Sequence, residues 1–204
     1  MPAMNKPIRW GILGTGLIAA EFAKAMQHVR DAELVSVGSR TQSSASDFAN
    51  AHGIAHAHAS YEALAQDPKV DVVYIATPHT LHFENTLLCL QAGKHVLCEK
   101  PFALNTAQVT EMVIAAQGYN LFLMEAMWMR FIPLLRDLQR RLAENEIGEV
   151  RMLQADFGFR APFDPSSRLF NLDLAGGALL DIGIYPLAFA TLLLGEPEEI
   201  TSVA

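Results

Sequence analysis

The sequence predicts an α/β fold: a doubly wound parallel sheet, followed by an α+β unit whose predominantly antiparallel open sheet is incomplete. Three observations lead there. Through the first half of the chain, short β-branched runs alternate with stretches whose apolar residues recur at helical spacing. After Met124 this alternation stops, and one amphipathic stretch is followed by a long run of alternating polarity. Hydrophobic residues make up 51% of the 204 positions, enough for a substantial core and for one domain with part of a second.

Strands are expected at residues 8–13, 34–39, 70–76, 95–98 and 121–124, with a short one near 54–57. Helices are expected at 17–29, 42–52, 81–92 and 106–118, with a short helix at 61–66. Their ends carry signals: Asn105 with Gln108 resembles a capping box, Ser60 caps the short helix, and Gly53 and Gly93 stand where helix C-termini should fall. Beyond residue 124 come a helix at 132–144, a strand at 150–159, a turn-rich polar loop, an apolar helix at 174–194 and a strand from Glu199. This divides the chain into a dinucleotide-binding domain at 1–124 and the start of an α+β domain at 125–204, to which the resemblance given below assigns substrate binding and dimerisation. Two strands make a marginal sheet in water, so the expectation is that the chain is truncated at its C-terminal side or that another chain covers the apolar face.

Composition excludes several partners. The formal charge is −7 and no Lys/Arg run interrupts it, so no nucleic acid is expected. Cys89 and Cys98 are too few for a disulfide framework, and glycines break the first apolar stretch where a signal peptide would need continuity. A cytoplasmic location is expected. The stretch 174–194 is long enough to span a bilayer, but it holds Asp181 and Pro186 near its centre and lacks a basic flank. A helix buried against a sheet gives the same pattern, so no membrane is expected either.

The first motif is Gly14-Thr15-Gly16-Leu17-Ile18-Ala19, which follows a strand and opens a helix. That context is the Rossmann dinucleotide-binding turn. Gly14 permits the tight turn, Gly16 lets a pyrophosphate approach the backbone, Ala19 allows close packing, and the helix N-terminus attracts the anion. The second strand ends in Ser39-Arg40 with no acid to grip a ribose 2′-hydroxyl, which points to NADP rather than NAD. Ala76-Thr77-Pro78-His79 follows a strand and should line the ligand crevice, with His82 one helical turn on. His79 with His82, or His52, His56 and His58, could pair as metal ligands, but no carboxylate or thiol cluster completes a shell and no metal is expected.

Cys98-Glu99-Lys100-Pro101 allows two readings: Lys100 aimed into the crevice for acid/base work, or Glu99 and Lys100 as an exposed ion pair. Asp181 and Tyr185 lie four residues apart in the apolar segment, so a helix would place both on one face where each needs a partner.

In order and spacing these motifs, together with Gly11-Ile12-Leu13, Ala92-Gly93-Lys94-His95-Val96-Leu97 and Gly176-Gly177-Ala178-Leu179-Leu180-Asp181-Ile182-Gly183, resemble the glucose-fructose oxidoreductase, inositol dehydrogenase and rhizopine catabolism (Gfo/Idh/MocA) family over nearly the whole chain. The resemblance implies that Lys100 is the catalytic lysine, that Asp181 orients substrate or lysine, and that Tyr185 donates or accepts the proton. Tyrosine at that position, with Met124-Glu125-Ala126-Met127-Trp128-Met129-Arg130-Phe131, is most similar to the branch of dimeric dihydrodiol dehydrogenases and NADP-dependent D-xylose dehydrogenases. It implies hydride transfer between NADP and a carbinol carbon of a cyclic vicinal diol or sugar, substrate contacts from Trp128, Arg130 and Phe157, and a homodimer. The rival function is a dinucleotide sensor of the same fold without turnover.

Overall fold

The structure is a computed structural model that describes residues 6–203. Its Cα packing divides the chain into Met1–Ala126 and Met127–Ala204.

The first unit is one six-stranded sheet. In chain order it runs β1 (Ile8–Leu13), α1 (Leu17–Met26), β2 (Ala32–Gly38), α2 (Gln42–His52), β3 (His56–His58), α3 (Tyr61–Ala65), β4 (Val72–Ile75), α4 (His82–Gln91), β5 (His95–Cys98), α5 (Thr106–Tyr119) and β6 (Leu123–Glu125). All pairings are parallel, in the order β3-β2-β1-β4-β5-β6. The order reverses between β1 and β4, the switch point at which open α/β sheets bind ligands.

Alternation along the strands builds a core on each face. Leu13, Val73, Ile75, Val96 and Cys98 pack with Cys89 and Leu90 of α4 and Ala116 of α5. Their neighbours Ile12, Val37 and Tyr74 pack on the other face with Ala19 and Ala23 of α1 and Phe48 and Ala49 of α2. A fully buried Val or Leu contributes about 1.5–3 kcal/mol, so these two clusters dominate the stability of the unit. Both thiols lie in the first core, free and buried, and burial pushes Cys89 up to about 12.

Helix ends follow the sequence signals with one variation. Asn105 accepts from the Gln108 N–H at 3.0 Å, but the Gln108 side chain turns to the Leu104 N–H instead of closing the box on Asn105. Ser60 accepts from the Ala63 N–H at 3.1 Å. The first helix stops at Met26, short of the expected residue 29, because the next residues bond three back and tighten into turns.

One polar knot joins β2 and β3 to the loops that precede β4 and β5. Asp67 accepts from Ser36 Oγ at 2.7 Å, His58 Nε2 at 2.9 Å and the Lys69 N–H at 2.8 Å. The buried Lys94 donates to the carbonyls of Asp67 and Val70. Burial disfavours the charge on Asp67, but the three donors outweigh it and hold the carboxyl at about 2.

In the second unit α6 (Pro133–Ala143) starts with Pro133 in its first turn and carries exposed ion pairs among Asp137, Arg140, Arg141 and Glu144. Residues 150–159 and 199–203, expected as strands, pair with nothing as strands, so the expected antiparallel sheet has no strand among the described residues. Alternating polarity marks a segment that could lie on a sheet, whereas a strand exists only with a hydrogen-bonded neighbour. The apolar helix also differs. A short 3₁₀ turn (Leu172–Leu174) is followed by left-handed Ala175, a π turn at Leu179–Gly183 and α7 (Ile184–Leu194). Pro186 has no N–H to bond back to Ile182, and the turn before it widens. Leu172–Leu194 is the one segment among the described residues long and apolar enough to cross a membrane.

The knot at Asp67 makes stability depend on acid. Its folded value lies below the usual aspartate value of about 3.9, so its contribution, about 2 kcal/mol, is complete above that value and is lost as pH falls through about 2. Urea unfolding of the chain and of Asp67→Asn is expected to show a gap at pH 7 that shrinks by roughly half at pH 3. A gap independent of pH would remove the charge from the account.

Candidate active site

The turn after β1 is shaped by two glycines with different constraints. Gly14 has φ +101°, and a Cβ there would stand 2.6 Å from the Ala76 carbonyl oxygen. It is therefore required by the fold. Gly16 is the N-cap of α1 with no side-chain cap, and a Cβ on it would meet no atom within 4 Å. Leu17 and Ile18 beside it are exposed, while Ala19 is fully buried against the sheet. An uncapped helix start behind an open glycine is a cradle for an anionic group, so the residues present fit a dinucleotide pyrophosphate. Ser39 follows β2, with Oγ 3.4 Å from Thr15 Oγ1, and Arg40 next to it is exposed.

The ends of β4 and β5 are fixed from behind by buried polar groups. Thr77 is buried, with Oγ1 accepting from Asn85 Nδ2 at 3.0 Å. His82, expected beside the cofactor, is 1% exposed and sits a layer deeper than that. Its Nε2 lies 3.0 Å from the Thr77 carbonyl and its Nδ1 2.7 Å from the Pro101 carbonyl. It ties the loop after β4 to the loop after β5. Burial pulls His82 down, against the two carbonyls, which favour its charged form. Pro78 is exposed between Thr77 and the buried His79.

Glu99 is not one half of an exposed ion pair: the residue is buried, Oε1 accepts from the Tyr74 hydroxyl at 2.5 Å, and Oε2 accepts from the Lys100 N–H at 3.1 Å. Burial pushes the Glu99 carboxyl up, with the Tyr74 and Lys100 hydrogen bonds opposing. Tyr74 is itself stacked on Phe22 with centroids 3.8 Å apart. Lys100 is partly buried, and its peptide with Pro101 is cis.

In the second unit a separate cluster forms around Tyr185, in the first turn of α7. Trp128 Nε1 donates to the Tyr185 hydroxyl at 3.0 Å, and the Phe157 ring meets Tyr185 edge-on at 5.4 Å. Asp181 lies in the π turn, buried, and pairs with Arg168 Nη1 at 2.9 Å. Arg130 is exposed on the same 3₁₀ turn as Trp128. Sequence reasoning missed Tyr74, Asn85 and Arg168. Asn85 stood one helical turn beyond His82 and could have been found, whereas Arg168 reaches Asp181 across an irregular loop that no periodicity marks.

Against known proteins, a profile described as "Oxidoreductase family, NAD-binding Rossmann fold" matches residues 8–127, and one described as "GFO/IDH/MocA C-terminal domain" matches residues 135–204. The chain belongs to the Gfo/Idh/MocA oxidoreductase family. Among family members, it is 45% identical over 200 residues to trans-1,2-dihydrobenzene-1,2-diol dehydrogenase of Sus scrofa, covering 96% of this chain and 59% of that protein. The Xenopus laevis protein of that name is 42% identical over 198 residues, covering 95% and 59%. The chain thus spans 59% of the length of these curated relatives. Among solved structures, a 3-ketoreductase from Actinomadura kijaniata in complex with NADP and TDP-benzene superimposes with a TM-score of 0.82 at 34% identity, over 93% of this chain and 58% of that one. An aldose-aldose oxidoreductase from Caulobacter crescentus complexed with glycerol gives 0.86 at 30%, over 94% and 58%.

The two glycines separate under substitution. Gly14→Ala is expected to lower the thermal midpoint by several degrees or prevent folding, since backbone at 2.6 Å cannot yield. Gly16→Ala is expected to melt close to the parent yet bind NAD(P)H at least about tenfold more weakly, because its methyl occupies the approach to the helix N-terminus. Fluorescence titration and thermal melts of both variants check this. Unchanged cofactor affinity in Gly16→Ala would place the pyrophosphate elsewhere.

Proposed function

We propose that the protein is an NADP-dependent dehydrogenase that moves hydride between the cofactor and a carbinol carbon of a cyclic vicinal diol or sugar. The observation that carries the reading is the Tyr185 hydroxyl held by the Trp128 indole N–H with Phe157 at its edge, in a family member 45% identical to a dihydrodiol dehydrogenase. A phenol whose oxygen is already fixed by a donor is positioned to exchange a proton with a substrate hydroxyl.

NADP, when bound, supplies the hydride acceptor. The turn Gly14-Thr15-Gly16-Leu17-Ile18 would hold its pyrophosphate, Ser39 and Arg40 its 2′-phosphate, and Ala76, Thr77, Pro78 and His79 would line its crevice, with His82 and Glu99 bracing that wall. Tyr185 takes the hydroxyl proton at its phenolic oxygen. Lys100 is assigned the cationic role that a phenolate requires. Asp181 accepts from substrate hydroxyls, Trp128 and Phe157 offer flat apolar surfaces to a ring, and Arg130 stands at the edge of that surface. We place the protein in the cytoplasm as a homodimer; its two buried free thiols fit a reducing compartment.

NADPH is expected to bind at least about tenfold more tightly than NADH, with Arg40→Ala narrowing the gap, as a lost charge-assisted contact would. Equal affinities in the parent chain would end the NADP assignment. Lys100→Ala and Tyr185→Phe are each expected to lower turnover of a trans-dihydrodiol by about a hundredfold or more while sparing NADPH affinity. Near-normal turnover in Tyr185→Phe would take the proton-transfer role from that residue.

A further inference from the structure

The main chain around Lys100 is gripped on both sides. After it, the Pro101 carbonyl lies 2.7 Å from Nδ1 of His82, on α4. Before it, the parallel ladder of β4 and β5 ends where the Glu99 N–H donates to the Ile75 carbonyl at 3.0 Å. The next N–H, that of Lys100, turns instead to Oε2 of the Glu99 carboxylate at 3.1 Å. A bond between adjacent residues positions nothing by itself, because the carboxylate and the amide can swing together. It becomes a fixed point only when the carboxylate is anchored to another element.

Tyr74 supplies the anchor. It pairs with Leu97 in the register of β4 and β5, so Glu99, two residues on, falls on the same face of the sheet. The Tyr74 hydroxyl donates to Glu99 Oε1 at 2.5 Å, and both residues are buried. The phenol ring is held in turn: it stacks on Phe22 of α1 with planes 15° apart, and Phe22 meets Trp10 of β1 with centroids 5.6 Å apart. Burial pushes the Glu99 carboxyl up, and the Tyr74 hydroxyl opposes this more than any other group does. The ring alone would fill the space beside Phe22. The hydroxyl adds a bond whose far end, one carboxylate away, is the main chain of the lysine.

We propose that Tyr74 is a positioning residue for Lys100: acting through Glu99, it fixes the stretch of main chain from which the lysine projects and so sets where the ammonium stands beside the cofactor. This rests on the dehydrogenase reading given above, in which Lys100 is the cation that supports proton transfer. Tyr74 is 2% exposed, so it reaches neither substrate nor cofactor, and what it controls is distance. A misplacement of about 1 Å costs about a hundredfold in rate, so a loosened turn lowers turnover and leaves cofactor affinity as it was.

The test compares the parent chain with Tyr74→Phe, Glu99→Met and the double variant. Turnover is measured with NADP and a trans-dihydrodiol, and affinity by fluorescence titration of NADPH. Tyr74→Phe is expected to lower kcat by about tenfold or more, with KM for the diol and Kd for NADPH near those of the parent. Its Lys100 amide, followed by hydrogen exchange in NMR spectra, should exchange at least about tenfold faster, while the amides of β1 keep their protection. Glu99→Met removes the same link from its other end, so adding Tyr74→Phe to it should cost less than about threefold more. The double variant leaves neither side chain with an unpaired buried polar group, so if Tyr74→Phe alone does not fold, the double variant carries the same expectations for kcat, Kd and Lys100 exchange. Unchanged kcat, or a Lys100 amide that exchanges as in the parent, would overturn the proposal. So would fully additive losses, which give Tyr74 and Glu99 separate roles, and a fall in NADPH affinity as large as that in kcat, which makes Tyr74 a support of the cofactor cradle. If the parent binds NADPH but leaves the diol untouched, the dehydrogenase reading fails. Lys100 exchange in Tyr74→Phe then decides the positioning by itself: faster upholds it, unchanged overturns it.

Discussion

The first unit depends on one approach that tolerates no side chain: the backbone of Gly14 against the carbonyl of Ala76. Gly14 donates its N–H to Gly38 at the end of β2, while Ala76 donates to Leu13 at the end of β1. The turn is thereby gripped by both neighbours of the central strand. Because that grip is backbone to backbone, it fixes the direction in which α1 leaves the sheet, and α1 carries its uncapped N-terminus to the strand ends at the switch point. Parallel pairing makes the arrangement possible by bringing the ends of β1, β2, β4 and β5 to one edge.

Behind that edge lies a layer of buried polar groups whose work is to immobilise the loops in front of them. Asn85 and His82 hold Thr77, His82 also holds Pro101, and Tyr74 holds Glu99, which in turn receives the Lys100 N–H. Each loop is thus held by a side chain from a regular element, helix α4 or strand β4. This is how a rigid scaffold lends precision to residues on loops. The stacking of Tyr74 on Phe22 extends the brace to α1, so the cradle and the lysine loop share one support.

Legibility in the sequence follows from what each signal measures. β1, β2 and β4 were readable because each sends side chains into both cores and so stands out as an apolar run, whereas the edge strand His56–His58 has no such run. The placement of Thr15, Gly16, Ser39 and Lys100 just past strand ends was legible because apolar runs mark where β1, β2 and β5 stop. His82 was expected to line the crevice, and the structure buries it between the Thr77 and Pro101 carbonyls, because a motif gives the neighbourhood of a residue and not its depth. Glu99 was ambiguous for a related reason: its partner Tyr74 sits 25 residues away on another strand, and its polar hydroxyl is hidden in an apolar run. In the second unit, alternation at 150–159 gave a polarity pattern but could supply no neighbouring strand, and Pro186 reshaped a helix that composition alone renders as uniform.

The two units also divide the electrostatic work differently. In the first, charges that matter are deep and fully surrounded, as at Asp67, where three donors and almost no solvent leave the charge little to gain from ions in solution. In the second, the carboxylate of Asp181 is deep but its counter-charge on Arg168 faces solvent. A long side chain reaching in from solvent keeps part of its charged end hydrated while its tip meets the buried carboxylate, so this contact costs less desolvation than one sealed on both sides. Asp181 is carried by the π turn, and the loop that carries Arg168 is held by backbone bonds and the close approach at Gly176. The contact is therefore set by two backbone segments, the π turn on one side and the loop closed at Gly176 on the other, so whatever moves that loop acts on Asp181 through the Arg168 guanidinium.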